Sequence, residues 1–146
     1  MGDERMYEVR QTHFAQSRKL IAKYKGYEIR TIGDSVMAAF RSASAALDFA
    51  CALCTDPGSP ELQLRAGIHI GPLQIEERDV FGRTVNFAAR VVGAIKGAGI
   101  WLSEQAKADI DMLGARRHKE LKWQKQEEIA LKGFAGAFNL WSAINA

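Results

Sequence analysis

The sequence predicts an α+β domain in which an antiparallel-rich sheet carries packed helices. Three observations predict it. Apolar residues recur at helical spacing in separate stretches. Short β-prone runs are joined by tight turns at Gly33-Asp34 and Gly71-Pro72. The elements run helix, hairpin, helix, hairpin, helix, strand, helix, strand, which pairs neighbouring strands instead of alternating strand and helix.

Taken in order, residues 3–24 read as one helix, with Met6, Val9, Phe14, Leu20, Ile21 and Tyr24 forming an apolar stripe and Gly26 stopping it. Tyr27–Ile32 and Ser35–Phe40 read as a hairpin across Gly33-Asp34. Ser42–Cys54 is an Ala-rich helix that ends in the loop Thr55–Pro60. Leu62–Ile70 alternates as a strand, Gly71-Pro72 turns the chain, and Leu73–Glu76 is expected to return as its hairpin partner. A loop at Arg78–Gly82 leads to a helix over Thr84–Lys96, then a short strand at Ile100–Leu102. Ser103 caps a fourth helix that Gly114 ends. Arg116–Lys132 is polar and gives no clear element, and Phe138–Ile144 is a last strand.

The 146 residues suit one domain able to bury a core without disulfides, and neither linkers nor repeats divide them. With 47% hydrophobic and 25% charged residues the chain is neither disordered nor fibrous. A net charge of +3 gives no argument for nucleic acid or a membrane surface. No apolar run approaches the ~20 residues needed to span a bilayer, and the charged start MGDERMYEVR lacks the apolar core of a signal peptide, so a cytoplasmic location is expected. Cys51 and Cys54 form a CxxC whose functional readings are a redox pair or half a metal site. It lies late in a helix and no second ligand pair follows, which favours two small core thiols.

The chemistry concentrates on the third helix. Val85, Ala88, Val92 and Ile95 form a core stripe, while Arg83, Asn86 and Arg90 align at i, i+3 and i+7 on another face. Two guanidinium forks and an amide suit phosphate oxygens; the alternative is a solvated helix face. Asp34 is either turn chemistry or a carboxylate on a stiff turn available to Mg²⁺. Asp79 lies in an acidic loop. His13, His69 and His118 have no metal-ligand spacing, and the sequence contains no Walker A, GxGxxG or GxSxG motif.

Four segments, in order, resemble the class III adenylate/guanylate cyclase catalytic domain. Thr31–Phe40 is similar to its TIGDxxxAxF hairpin and Leu64–Leu73 to its R-x-GIHxG strand and turn. Asp79–Arg90 is similar to its D-x-FGxxVNxAxR segment, and Leu131-Lys132-Gly133 with Phe138–Ala143 to its terminal LKG and strand. The resemblance runs from about residue 3 to the end and implies the ferredoxin-like cyclase fold. It implies a head-to-tail homodimer whose shared sites use two Mg²⁺ or Mn²⁺ ions. These help a ribose 3′-hydroxyl attack the α-phosphate of a nucleoside triphosphate, releasing pyrophosphate. Residue by residue, Asp34 matches a metal ligand, Asn86 the ribose-orienting residue, Arg90 the Arg that stabilises charge on the reacting phosphate, and Asp79 a base-reading position.

Two departures stand out. The family's first metal-binding Asp lies on an opening strand, F-x-D-hydrophobic-x-x-F/Y, and this chain starts just after that stretch. An N-terminally incomplete domain spanning 1–146 is therefore expected, short of one metal ligand and one central strand. The purine-reading Lys before TIGD is Arg30 here, which leaves ATP the favoured substrate but keeps guanine and pyrimidines open. Two other functions stand beside it: a catalytically silent cyclase-homology domain for dimerisation or nucleotide binding, and an unrelated ferredoxin-like RNA-binding module, for which the sequence lacks any RNP-like aromatic motif.

Overall fold

The computed structural model describes residues 3–71, 74–76, 79–113 and 115–145. A long helix α1 (Asp3–Lys23) opens the chain, followed by the hairpin β1 (Tyr27–Ile32) and β2 (Ser35–Ala39). Helix α2 (Ala43–Thr55) starts at Ser42, whose hydroxyl accepts from the Ala45 N–H. Strand β3 (Arg65–Ile68) is followed by the small pair β4 (Gln74–Glu76) and β5 (Asp79–Phe81), then α3 (Arg83–Ala94). Next come β6 (Gly99–Ser103), α4 (Glu104–Leu113), a 3₁₀ turn at Ala115–His118, and the long strands β7 (Leu121–Ala130) and β8 (Ala137–Asn145).

Strand order in the main sheet is β3-β6-β8-β7, with β3–β6 parallel and the other pairs antiparallel. The two-residue side-chain period divides the core into two layers. Ile68, Ile100, Leu102 and Ala143 face α2 and α4, packing with Leu47, Ala50, Ala106 and Ile110. Leu140, Trp101 and Phe138 face the other way, against Phe87 and Val91 of α3. The main sheet thus lies between α2 with α4 on one side and α3 on the other. Hairpin β1–β2 forms its own two-stranded unit, joined to α3 through Ile29, Val85, Met37 and Ala39.

The mixed α+β class is as the sequence predicts, and three local expectations are corrected. Residues 74–76 pair with β5, not with Leu62–Ile70; the partner of β3 is β6, because turn signals mark where a chain reverses but not which distant edge it joins. The expected loop at 78–82 holds a strand over Asp79–Phe81. The unassigned segment after Arg116 is largely β7, which alternates half-buried Leu121 and Trp123 with exposed Lys122 and Gln124. In α1, His13 and Ser17 are buried while Met6 is 44% exposed, so the helix's inner stripe is more polar than its apolar residues suggest. The expected breaks at Pro72 and Gly114, and Leu73, Glu77 and Arg78, lie outside the described residues.

Candidate functional site

Helix α3 presents two faces. Val85, Phe87 and Val91 are buried, and Arg83, Asn86 and Arg90 are all exposed along an adjoining face. The helix is pressed onto β3 at Gly67, where an added Cβ would lie 2.8 Å from the Val92 nitrogen and 3.0 Å from the Ala88 carbonyl oxygen. No larger residue fits that contact without moving the helix, so Gly67 fixes how deep α3 sits. At the helix start, the Arg83 guanidinium stacks over Phe134 at 4.6 Å. Phe134 is held edge-on to Phe87 at 5.1 Å and to Phe138 at 6.3 Å, so the turn after Leu131-Lys132-Gly133 is pinned beside the polar face of α3.

Asp34 stands at the tip of the β1–β2 hairpin, where Gly33 takes a φ of 57° that a side chain would resist. Its carboxylate is 69% exposed and accepts a 2.8 Å hydrogen bond from the Arg10 Nε of α1. His13, one helical turn beyond Arg10, is buried and lies against the Asp34 backbone; burial holds its imidazole below the ordinary value, opposed by the Asp34 carbonyl and charge. Arg30 is half-buried on β1 beside a register shift between Glu28 and Arg30, an irregularity that re-aims side chains. Strand β5, which carries Asp79, lies next to β1.

The structure therefore brings Arg83, Asn86 and Arg90 onto one open face, and sets the strands bearing Arg30 and Asp79 side by side. It does not join Asp34 to that face: among the described residues no hydrogen bond or ion pair links Asp34 to Asn86 or Arg90. Nor do the described residues contain a group of three or more His, Cys, Asp or Glu arranged to hold a metal. Cys51 and Cys54 are free thiols packed against the core, and burial pushes both thiols up, away from the reactive thiolate. Sequence reasoning missed Arg10, whose role depends on how α1 packs against a turn 24 residues away.

Residues 3–142 match the family described as the adenylate and guanylate cyclase catalytic domain. The chain belongs to this family. It is 29% identical to a putative adenylate cyclase 3 of Rhizobium meliloti, over 68% of this chain and 19% of that protein. It is 33% identical to an adenylate cyclase of Streptomyces coelicolor, over 62% of this chain and 24% of that one. A receptor-type adenylate cyclase, GRESAG 4.1 of Trypanosoma brucei brucei, is 26% identical over 88% of the chain and 14% of that protein. The chain thus spans a quarter or less of these relatives. Among solved structures, the adenylyl cyclase CyaB of P. aeruginosa superposes with a TM-score of 0.82 at 19% identity, over 100% of this chain and 85% of that one. An adenylate/guanylate cyclase/hydrolase from Silicibacter pomeroyi gives 0.79 at 24% identity, over 99% and 87%. These likenesses establish the cyclase-domain fold for the present chain. No helix among its described residues is long and apolar enough to cross a membrane.

Proposed function

We propose that this cyclase domain converts a nucleoside triphosphate, ATP in the first instance, to its 3′,5′-cyclic nucleotide and pyrophosphate. The observation that carries the proposal is the exposed row of Asn86 and Arg90 on a helix whose depth is fixed by Gly67. In this reading Asn86 orients the ribose by hydrogen bonding, and Arg90 offers a planar fork to the oxygens of the reacting phosphate, where negative charge builds. Arg30 donates to the base and Asp79 accepts from it. A guanylate cyclase domain solved in complex with GTP shares the fold at a TM-score of 0.78 and 17% identity, so base choice rests on these two residues and not on the fold.

Asp34 is the cation ligand in this reading. Magnesium commonly takes one or two carboxylates, keeps several waters and shares the substrate's phosphates. A single exposed carboxylate on a stiff turn fits the protein's share of one such ion, provided Arg10 releases it; among the described residues no group of three or more His, Cys, Asp or Glu is arranged around it. Bound there, Mg²⁺ or Mn²⁺ would supply Lewis-acid polarisation of phosphate oxygens. Because Asp34 is tied to α1 and not to the polar face of α3, the complete site is assembled from two copies: Asp34 of one subunit meets Asn86 and Arg90 of the other. One chain carrying both halves makes a symmetric homodimer with two equivalent sites. The supply of nucleoside triphosphates places the activity in the cytoplasm.

In this reading residues 1–146 form one unit. Among the described residues β2 pairs only with β1, β3 pairs only with β6, and α3 packs against both units. A silent cyclase-homology domain is the second reading, favoured by the guanidinium already seated on Asp34. A cyclase assay with Mn²⁺ and each of ATP, GTP, CTP and UTP separates the two. Activity is expected, with Arg90→Ala lowering kcat about 10²–10³-fold, Arg83→Ala having much less effect, and Asp34→Asn nearly abolishing turnover. Nucleotide binding and dimerisation without any cyclic product would establish the silent domain instead.

A further inference from the structure

We infer that Arg10 is a resident counter-cation of Asp34, competing with the divalent cation for the same carboxylate. The inference rests on the reading of Asp34 as a cation ligand. Three features of the structure carry it. First, the Arg10 Nε lies 2.8 Å from Asp34 Oδ1, so a guanidinium holds one edge of the carboxylate that a cation would use. A guanidinium and a divalent cation cannot both occupy that edge, because like charges in contact repel.

Second, the pair is built to exchange. Arg10 is 46% and Asp34 69% exposed, so water screens their attraction and can solvate either group when they part. A buried pair would leave an uncompensated charge on opening; this one does not. Third, the turn does not depend on Arg10 for its place. Gly33 fixes its geometry, and the buried His13 lies against its backbone one helical turn further along α1. Releasing Arg10 therefore frees the carboxylate without moving it. The resting domain holds its metal carboxylate neutralised, and cation binding includes the displacement of one guanidinium from α1.

The test measures Mn²⁺ binding to the full 146-residue chain, by electron paramagnetic resonance of free Mn²⁺, in wild type, Arg10→Gln, Arg10→Lys and Asp34→Asn. Arg10→Gln is expected to tighten Mn²⁺ binding about two- to five-fold, the range an exposed ion pair allows. Arg10→Lys, which keeps the charge but loses the fork, falls between Arg10→Gln and wild type. In wild type the Arg10 Nε–H resonance shifts along with Mg²⁺ saturation. Unchanged or weaker Mn²⁺ binding in Arg10→Gln, with Asp34→Asn still removing it, overturns the competition while leaving Asp34 a ligand. Mn²⁺ binding that survives Asp34→Asn unaltered removes the ligand reading itself, and the competition with it. Circular dichroism of each variant confirms that the fold is retained.

Discussion

Around β6, side chains with no exposed surface come from four elements: Leu47 of α2, Leu102 of β6, Ala106 of α4 and Leu140 of β8. In the hairpin β1–β2, Ile29 alone is buried, and Asp34 stands out at its tip. One region is closed on both faces; the other is a thin blade held by α1 and the start of α3. The difference separates two tasks. The dense region sets the position of α3, and the exposed blade leaves the Asp34 carboxylate open to solvent, as the proposed cation site requires. Low local packing is what a site that must exchange ligands requires.

The largest effect that tests this division is a core truncation. Leu102→Ala is expected to lower unfolding free energy by about 2–5 kcal/mol, since a fully buried leucine leaves a cavity between the sheet and the α2–α4 layer. Ile32→Ala, at a residue 55% exposed in the hairpin, should change it by no more than about 0.5 kcal/mol. Urea denaturation of both variants measures the contrast, and equal losses would erase the distinction between the two regions.

A smaller effect is expected at Lys107. Its ammonium lies 4.5 Å from the Trp123 ring centroid and 5.0 Å from that of Trp141, bridging α4 to β7 and β8, and it pairs with Asp111. Lys107→Met keeps the apolar stem and removes the charge, and should cost about 1–2 kcal/mol. Tryptophan fluorescence during unfolding reports it directly, and a loss of stability without any spectral change would place the effect elsewhere.

Acid should weaken the dense region next. His118 is 5% exposed, bonded to Ser44 at 2.7 Å, with Asp48 and Arg117 beside it. Burial first, then the Arg117 charge, holds its imidazole below the ordinary value, and burial does the same to His69. As pH falls through about 6.5 the unfolded chain takes up protons that the folded chain refuses. Stability present at neutral pH is therefore lost toward lower pH. The urea midpoint should drop between pH 7.5 and 5.5, and His118→Gln should flatten that drop. A midpoint insensitive to pH in wild type would contradict the burial of these rings.

Much of this was legible in the sequence where local signals suffice. The hairpin follows from β-prone runs around Gly33-Asp34, and the spacing of Asn86 and Arg90 already puts them on one open face of α3, although Phe87 and Val91 are buried where the sequence pattern pointed to Ala88 and Val92. What stayed hidden is non-local. Strand β7 carries Lys122, Gln124, Lys125, Glu127 and Glu128, a composition suited to an edge strand that repels further pairing, and only β8 reveals it as a strand. The parallel seam of β3 with β6 joins Arg65 to Gly99, and no turn residue announces it. Arg10 was invisible for the same reason, since nothing in its neighbours in sequence points to a turn beyond the end of its helix.

The tight seat of α3 on Gly67 makes the helix a lever with a fulcrum. The contact lies at Ala88 and Val92, so the turn bearing Arg83 and Asn86 projects beyond it toward the hairpin, a reach of about 7.5 Å at the usual rise per residue. On such an arm a tilt of about 8° carries the far end roughly 1 Å, a displacement large enough to cost about a hundredfold in a reaction that depends on alignment. Any force that rocks the helix over that contact is therefore felt most at Arg83, less at Asn86 and least at Arg90, which sits beside the fulcrum. A domain of this build can be tuned from a distance by touching β3 or the far end of α3, with no contact to the reacting groups at all.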